Sequence, residues 1–112
     1  MPAYAAAHLR SVTMGPGIVE YIRRIDDTLP PFGGRFLSHG KTPEVLEGEW
    51  PGHLVLIEFP DMEQARGWYH SPAYQAILSL RTDHSEGSAI LLDGVGPDYR
   101  AADFLKSIGV TD

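Results

Sequence analysis

An α+β domain is what this sequence predicts, and three observations carry the prediction. Several segments alternate in the two-residue rhythm of strands, and two segments between them repeat apolar residues at helical steps. The segments also succeed one another as strand, helix, strand, strand, helix, strand, the split β-α-β order of the ferredoxin-like plan. That plan is a four-stranded antiparallel sheet with two helices on one face.

Each element has a reason in the residues. Tyr4 to Val12 alternates Ala5, Ala7 and Leu9 against Ala6, His8 and Arg10, which reads as a first strand. After the glycine–proline turn at Gly15-Pro16-Gly17, residues Ile18, Tyr21, Ile22, Ile25 and Leu29 form one apolar stripe of a helix, which Pro30-Pro31 must end. Gly33 to His39 reads as the second strand, with Glu44 to Gly48 as its continuation or a short extra strand beyond the turn at Gly40-Lys41-Thr42-Pro43. The clearest strand is His53 to Phe59, between Pro51-Gly52 and Pro60, and it pairs naturally with the strand before it.

A helix is predicted from Asp61, a good N-cap with Gln64 three residues on, and Gly67 weakens its middle. A second helical piece starts at Ser71 as N-cap with Pro72 in the first helical position, where a missing N–H costs nothing. Its apolar stripe is Tyr74, Ile77, Leu78 and the stem of Arg81. Ser88 to Asp93, closed by Gly94, is the last strand. Residues 1–95 are thus expected to form one domain. Residues 96–112 form a tail in which Ala101 to Ile108 makes one short helix ending at Gly109.

Composition narrows the function classes. A chain of 112 residues, 43% hydrophobic and 21% charged, is long enough for one core and too apolar for disorder. Nine basic against 15 acidic residues, a formal charge of −6, oppose a nucleic-acid partner. With no cysteine there is no disulfide, thiolate metal site or cysteine nucleophile. The longest apolar runs fall far short of the roughly 20 residues a membrane span needs. The first ten residues lack the order of a signal peptide, so a cytoplasmic location is expected. Asp83-His84-Ser85-Glu86 lacks the spacing that aligns metal ligands, and neither a phosphate-binding glycine loop nor a Gly-x-Ser-x-Gly elbow occurs. No cofactor is therefore expected.

Both faces of the third strand are apolar: His53, Val55, Ile57 and Phe59 on one, Leu54, Leu56 and Glu58 on the other. Two helices cover only one face of such a sheet, so the second asks for another cover. An identical sheet related by a twofold axis is the simplest, and a homodimer through the sheet face is predicted.

Gly33-Gly34-Arg35-Phe36-Leu37, Leu46-Glu47-Gly48-Glu49-Trp50, Leu56-Ile57-Glu58-Phe59-Pro60, Ala65 to Gln75 and Leu80-Arg81, in this order, resemble the uncharacterised-domain family numbered 1330, a domain of unknown function. That family belongs to the dimeric α+β barrel superfamily. The resemblance runs from about Tyr4 to Gly94 and implies the fold and the dimer. The stretch Met14-Gly15-Pro16-Gly17-Ile18 departs from it, standing where an aspartate–proline and a tyrosine are usual. If the chain is an enzyme, the superfamily implies cofactor-free proton transfer or oxygenation.

Two groups of residues could form a site for a small anionic or aromatic metabolite. Simple alternation puts Arg35, Leu37 and His39 on one face of the second strand, on the side that also carries His8, Arg10 and Glu58. There Arg35 would orient an anion, while His39, as the side-chain type that titrates nearest neutrality, would exchange a proton. The plainer reading is an Arg35–Glu58 ion pair across the dimer interface. The run Trp68-Tyr69-His70-Ser71-Pro72-Ala73-Tyr74 gathers three aromatics beside a capping serine. Trp68 and Tyr74 would wall a ligand, Ser71 would contact it and Tyr69 would exchange the proton if His39 does not; equally, Trp68 and Tyr74 would be core and Ser71 only a cap. Trp50, with Glu47 and Glu49, would stand at the pocket mouth or in a solvated turn. The candidates are therefore His39 and Tyr69 for catalysis, and Arg35, Trp50, Trp68, Ser71 and Tyr74 for binding. A non-catalytic structural or binding dimer is the alternative.

Overall fold

The computed structural model of the chain describes residues 1–110. The expected tail runs on to residue 112, and its last two residues lie outside the described ones. Four strands form one antiparallel sheet in the order β2-β3-β1-β4: β1 is Ala3–Val12, β2 Arg35–Ser38, β3 His53–Phe59 and β4 Ser85–Asp93. Helices α1 (Pro16–Ile25), α2 (Met62–His70) and α3 (Pro72–Thr82) cover one face, completing the predicted ferredoxin-like α+β plan, and α4 (Ala101–Ser107) follows in the tail. No helix among the described residues is long and apolar enough to cross a membrane.

The local signals act as their chemistry requires. Asp61 caps α2, its Oδ1 accepting from the Gln64 N–H at 2.8 Å, and Ser71 Oγ caps α3 by accepting from the Tyr74 N–H at 3.2 Å. Helix α1 stops at Ile25, short of the apolar stripe that reaches Leu29. Pro30 has no N–H to give the Asp26 carbonyl, so the chain tightens into two short 3₁₀ turns, Asp26–Thr28 and Pro30–Phe32. Gly33, at φ 69°, closes the second of these.

Three expectations are corrected. The second strand is Arg35–Ser38, shorter than Gly33 to His39, because Gly33 belongs to that turn. Glu44 to Gly48 forms no strand: none of its residues pairs with a strand of the sheet, and turns with positive φ at Gly40 (70°) and Gly48 (73°) bracket it. The last strand begins three residues earlier than its apolar run, at Ser85, since Ser85 and Glu86 pair with Val12 and Ser11. Polar residues join a strand when a neighbouring strand holds their backbone, and apolar alternation carries no sign of that.

The core lies between the sheet and the helices. Ala3, Ile57 and Phe59 from the sheet meet Ala65 and Trp68 of α2, Tyr74 and Ile77 of α3, and Ile25 and Leu29 from α1 and its end. The buried Trp68 Nε1 donates to Thr28 Oγ1 at 2.9 Å, and Thr28 donates on to the Ile25 carbonyl at 2.7 Å, tying α2 to the turn after α1. The opposite face of the sheet carries no helix among the described residues, and Leu37, Ile90 and Leu92 stand exposed there.

Candidate functional site

A cavity of about 750 Å³ opens between α1, α3 and the inner face of the sheet. Its origin lies in the first strand. The register pairs Ala3, Ala5, Ala7 and Leu9 with Phe59, Ile57, Val55 and His53 on the helix side. On the other side of β1, Ala7 meets Ala89 and Leu9 meets Gly87. At one end of the sheet Phe59, Ile57 and Trp68 fill the space under the helices. Toward the other end Ala5, Ala7 and Ala89 offer only methyl groups and Gly87 a hydrogen, and α1 packs chiefly on α3 rather than on the sheet. Small side chains on a central strand beneath a helix that stands off it leave a void.

Most of this wall is apolar, as small-molecule sites typically are. Its polar groups come from defined places. Tyr21 of α1 and Tyr74 of α3 meet hydroxyl to hydroxyl at 2.8 Å. The Arg81 guanidinium of α3 lies 5.9 Å from the centre of the Tyr21 ring. Burial raises the Tyr21 phenol pKa far above its ordinary value, reinforced by Tyr74, so Tyr21 stays a neutral hydroxyl. Burial by itself pulls Arg81 down, but the oxygens of Tyr74 and Tyr21 outweigh it and the net direction is up, so the guanidinium stays charged. His39, His53 and Arg10 also stand on the wall.

Two β-bulges decide which residues reach it. In β2 the register with β3 shifts between Phe36 and Ser38. The extra residue reverses the alternation beyond Leu37. Arg35, opposite Glu58, therefore points away from the helices, whereas His39 is on the cavity side with its ring 5.1 Å from that of Phe36. The expectation that Arg35 and His39 share a face is thereby corrected. Arg35 instead pairs with Glu58 on the outer face, its Nε and Nη2 donating to Oε1 at 3.2 and 3.1 Å. In β1 the register with β4 shifts between Leu9 and Ser11, which brings Arg10 to the cavity although His8, two residues earlier, faces outward.

The remaining candidates divide in the same way. Trp68, Tyr69 and Tyr74 line the cavity together with His39. Trp68 and Tyr74 are also core, with ring centres 4.1 Å apart, so the two readings of these residues are compatible. Ser71 is buried and fully engaged as a cap: its Oγ donates to the Trp68 carbonyl at 2.7 Å while accepting from Tyr74, and it does not reach the cavity. Trp50 does not stand at the mouth. It stacks on His8 of the outer face, ring centres 4.1 Å apart and planes 20° from parallel, while His8 Nε2 sits 2.7 Å from the Pro51 carbonyl oxygen. Tyr21 and Arg81 are the wall residues that sequence reasoning passed over as mere members of apolar stripes. A signal was present: each is a polar-tipped residue set among aliphatic ones on a buried helix face.

Comparison with known proteins places the fold and leaves chemistry open. No curated protein matches the chain significantly. Among solved structures, a protein of unknown function from Rhodopseudomonas palustris is similar at 17% identity, covering 86% of this chain and 84% of that one, with a TM-score of 0.63. A dimeric ferredoxin-like protein of unknown function from Jannaschia sp. CCS1 is 14% identical over 86% of this chain and all of that one (100%), with a TM-score of 0.51. An antibiotic biosynthesis monooxygenase is 20% identical over 86% and 100% of the two chains, with a TM-score of 0.50. At such identities the likeness is one of fold. The sequence profile described as "Domain of unknown function (DUF1330)" matches residues 2–95, the whole of the sheet-and-helix unit, and the chain belongs to that family.

Proposed function

We propose that this chain is a small-molecule-binding protein that works as a homodimer, holding its ligand in the cavity between α1, α3 and the sheet. The carrying observation is the cavity itself: about 750 Å³ lies within the range of ligand sites, and its wall is largely apolar with a few convergent polar groups. A protein that only packed and paired would gain by filling that space, since unfilled volume forfeits dispersion contacts. His39 and Tyr69 stand on the same wall, with His53, and are groups able to exchange a proton with an occupant.

The dimer reading rests on the outer face. Leu37, Ile90 and Leu92 are 43%, 55% and 57% exposed beside Leu54 and Leu56, an apolar patch that a second sheet would cover. The Jannaschia protein, described as dimeric and ferredoxin-like, supports a dimer. Light scattering at micromolar concentration is expected to give twice the chain mass; a monomer there overturns the dimer.

The cavity is tested by filling it. Ala7→Phe places a ring where β1 has only a methyl group, and is expected to keep the fold and its melting temperature while abolishing binding of monocyclic aromatic fragments detected by ligand-observed NMR. Fragments that bind wild type and variant alike would put the site elsewhere.

A further inference from the structure

The geometry points to an anion anchor inside this cavity, formed by Arg81 with the Tyr21–Tyr74 hydroxyl pair, which selects a monocarboxylate with an apolar body. The inference rests on the binding reading above and names the ligand class. Three observations carry it.

The first is a charge without a counter-ion. Arg81 is half-buried on the cavity wall, yet among the described residues it forms no ion pair, and only the neutral phenol oxygens of Tyr74 and Tyr21 stabilise it. Its neighbours are the phenols and the face of the Tyr21 ring. A guanidinium withdrawn from water and left without a carboxylate is costly, and an anion arriving through the cavity removes that cost. The second is a spare proton. In a hydroxyl-to-hydroxyl contact one phenol donates and the other accepts, so the accepting phenol keeps an O–H with no acceptor in the described protein. That O–H lies beside the guanidinium, and both are donors. What they need in common is an acceptor bearing negative charge.

The third is segregation of charge. The chain carries 15 acidic residues against nine basic, yet among the described residues no aspartate or glutamate lines this cavity, while Arg81, Arg10, His39 and His53 do. An acidic protein that clears carboxylates from one concave surface keeps that surface open to an anion. One inner guanidinium with one phenol suits a single carboxylate rather than a doubly charged phosphate. Ala7, Val55 and Leu91 then face the rest of the molecule, which must be apolar to gain from them.

Matched pairs make the test. Phenylacetate, cinnamate and 2-naphthoate are titrated against the full chain, each beside its primary amide, which has nearly the same shape and no charge. The acids are expected to bind about ten- to a hundredfold more tightly than their amides, the range for a charge-assisted pair. Arg81→Met should erase that preference while leaving amide binding in place, and Arg35→Met, on the outer face, should leave the preference intact. Tyr21→Phe should reduce it without erasing it. If acids and amides bind equally to the wild-type protein, the anchor is overturned and the cavity reading stands. If no member of either series binds, both fall. The acid–amide comparison on wild-type protein holds whether or not Arg81→Met folds.

Discussion

Replacing Trp68 with alanine is expected to destabilise the fold by about 3–5 kcal/mol, the range for truncating a large buried aromatic. The indole serves three structures at once. It packs on Phe59 of the sheet and Tyr74 of α3, with ring centres 5.2 and 4.1 Å away, and its N–H reaches Thr28 in the turn after α1. Alanine leaves a hole already adjoining an open cavity, so the surroundings have little to collapse with. For a domain whose total stability is about 5–15 kcal/mol, much of the folded population is at stake. Urea denaturation followed by circular dichroism measures it. Trp68→Phe keeps a ring while leaving Thr28 without its indole donor, and should fall between the two. A loss below about 1 kcal/mol for the alanine variant would mean that the helices are held to the sheet by something other than this side chain.

Gly52→Ala is the second large effect, expected to cost about 2–4 kcal/mol through strain and collision together. Gly52 sits at φ 84° immediately before β3, and a Cβ there would fall inside the van der Waals surface of the Leu9 carbonyl oxygen. Leu9 is the residue that pairs with His53, so relief of the clash requires the ends of β1 and β3 to part just where they line the cavity. Gly48→Ala is the matched control. Its φ of 73° is as unfavourable, yet nothing lies within 4 Å of the added atom, so it should lose only the about 1–2 kcal/mol of the left-handed conformation. Equal losses at the two positions, by chemical denaturation, would remove the steric part of the argument. If backbone separation spreads as expected, Gly52→Ala also weakens whatever the cavity binds, whereas Gly48→Ala does not.

Residue chemistry and spacing alone determined the α+β plan, its element order, the caps at Asp61 and Ser71, and the apolar character of both sheet faces. These are local properties: a proline ends a helix and a hydroxyl caps one wherever they occur. The candidate site was legible where its residues lie on helices, Trp68 and Tyr69 on α2 and Tyr74 on α3, because the helical period sets their faces within each helix. On the strands it was not legible, because a single extra residue in β2 puts His39 on the cavity side and leaves Arg35 outside, and another in β1 does the same for Arg10 and His8. A bulge is a mismatch between two strands and has no mark in either one. The cavity and its anchor belong to the tertiary structure for a related reason. The alanines of β1 read as a weak strand signal, and Arg81 as a stem completing an apolar stripe. Only when α1 packs on α3 and stands off the sheet do those methyl groups become empty space and that guanidinium a charge without a carboxylate partner among the described residues.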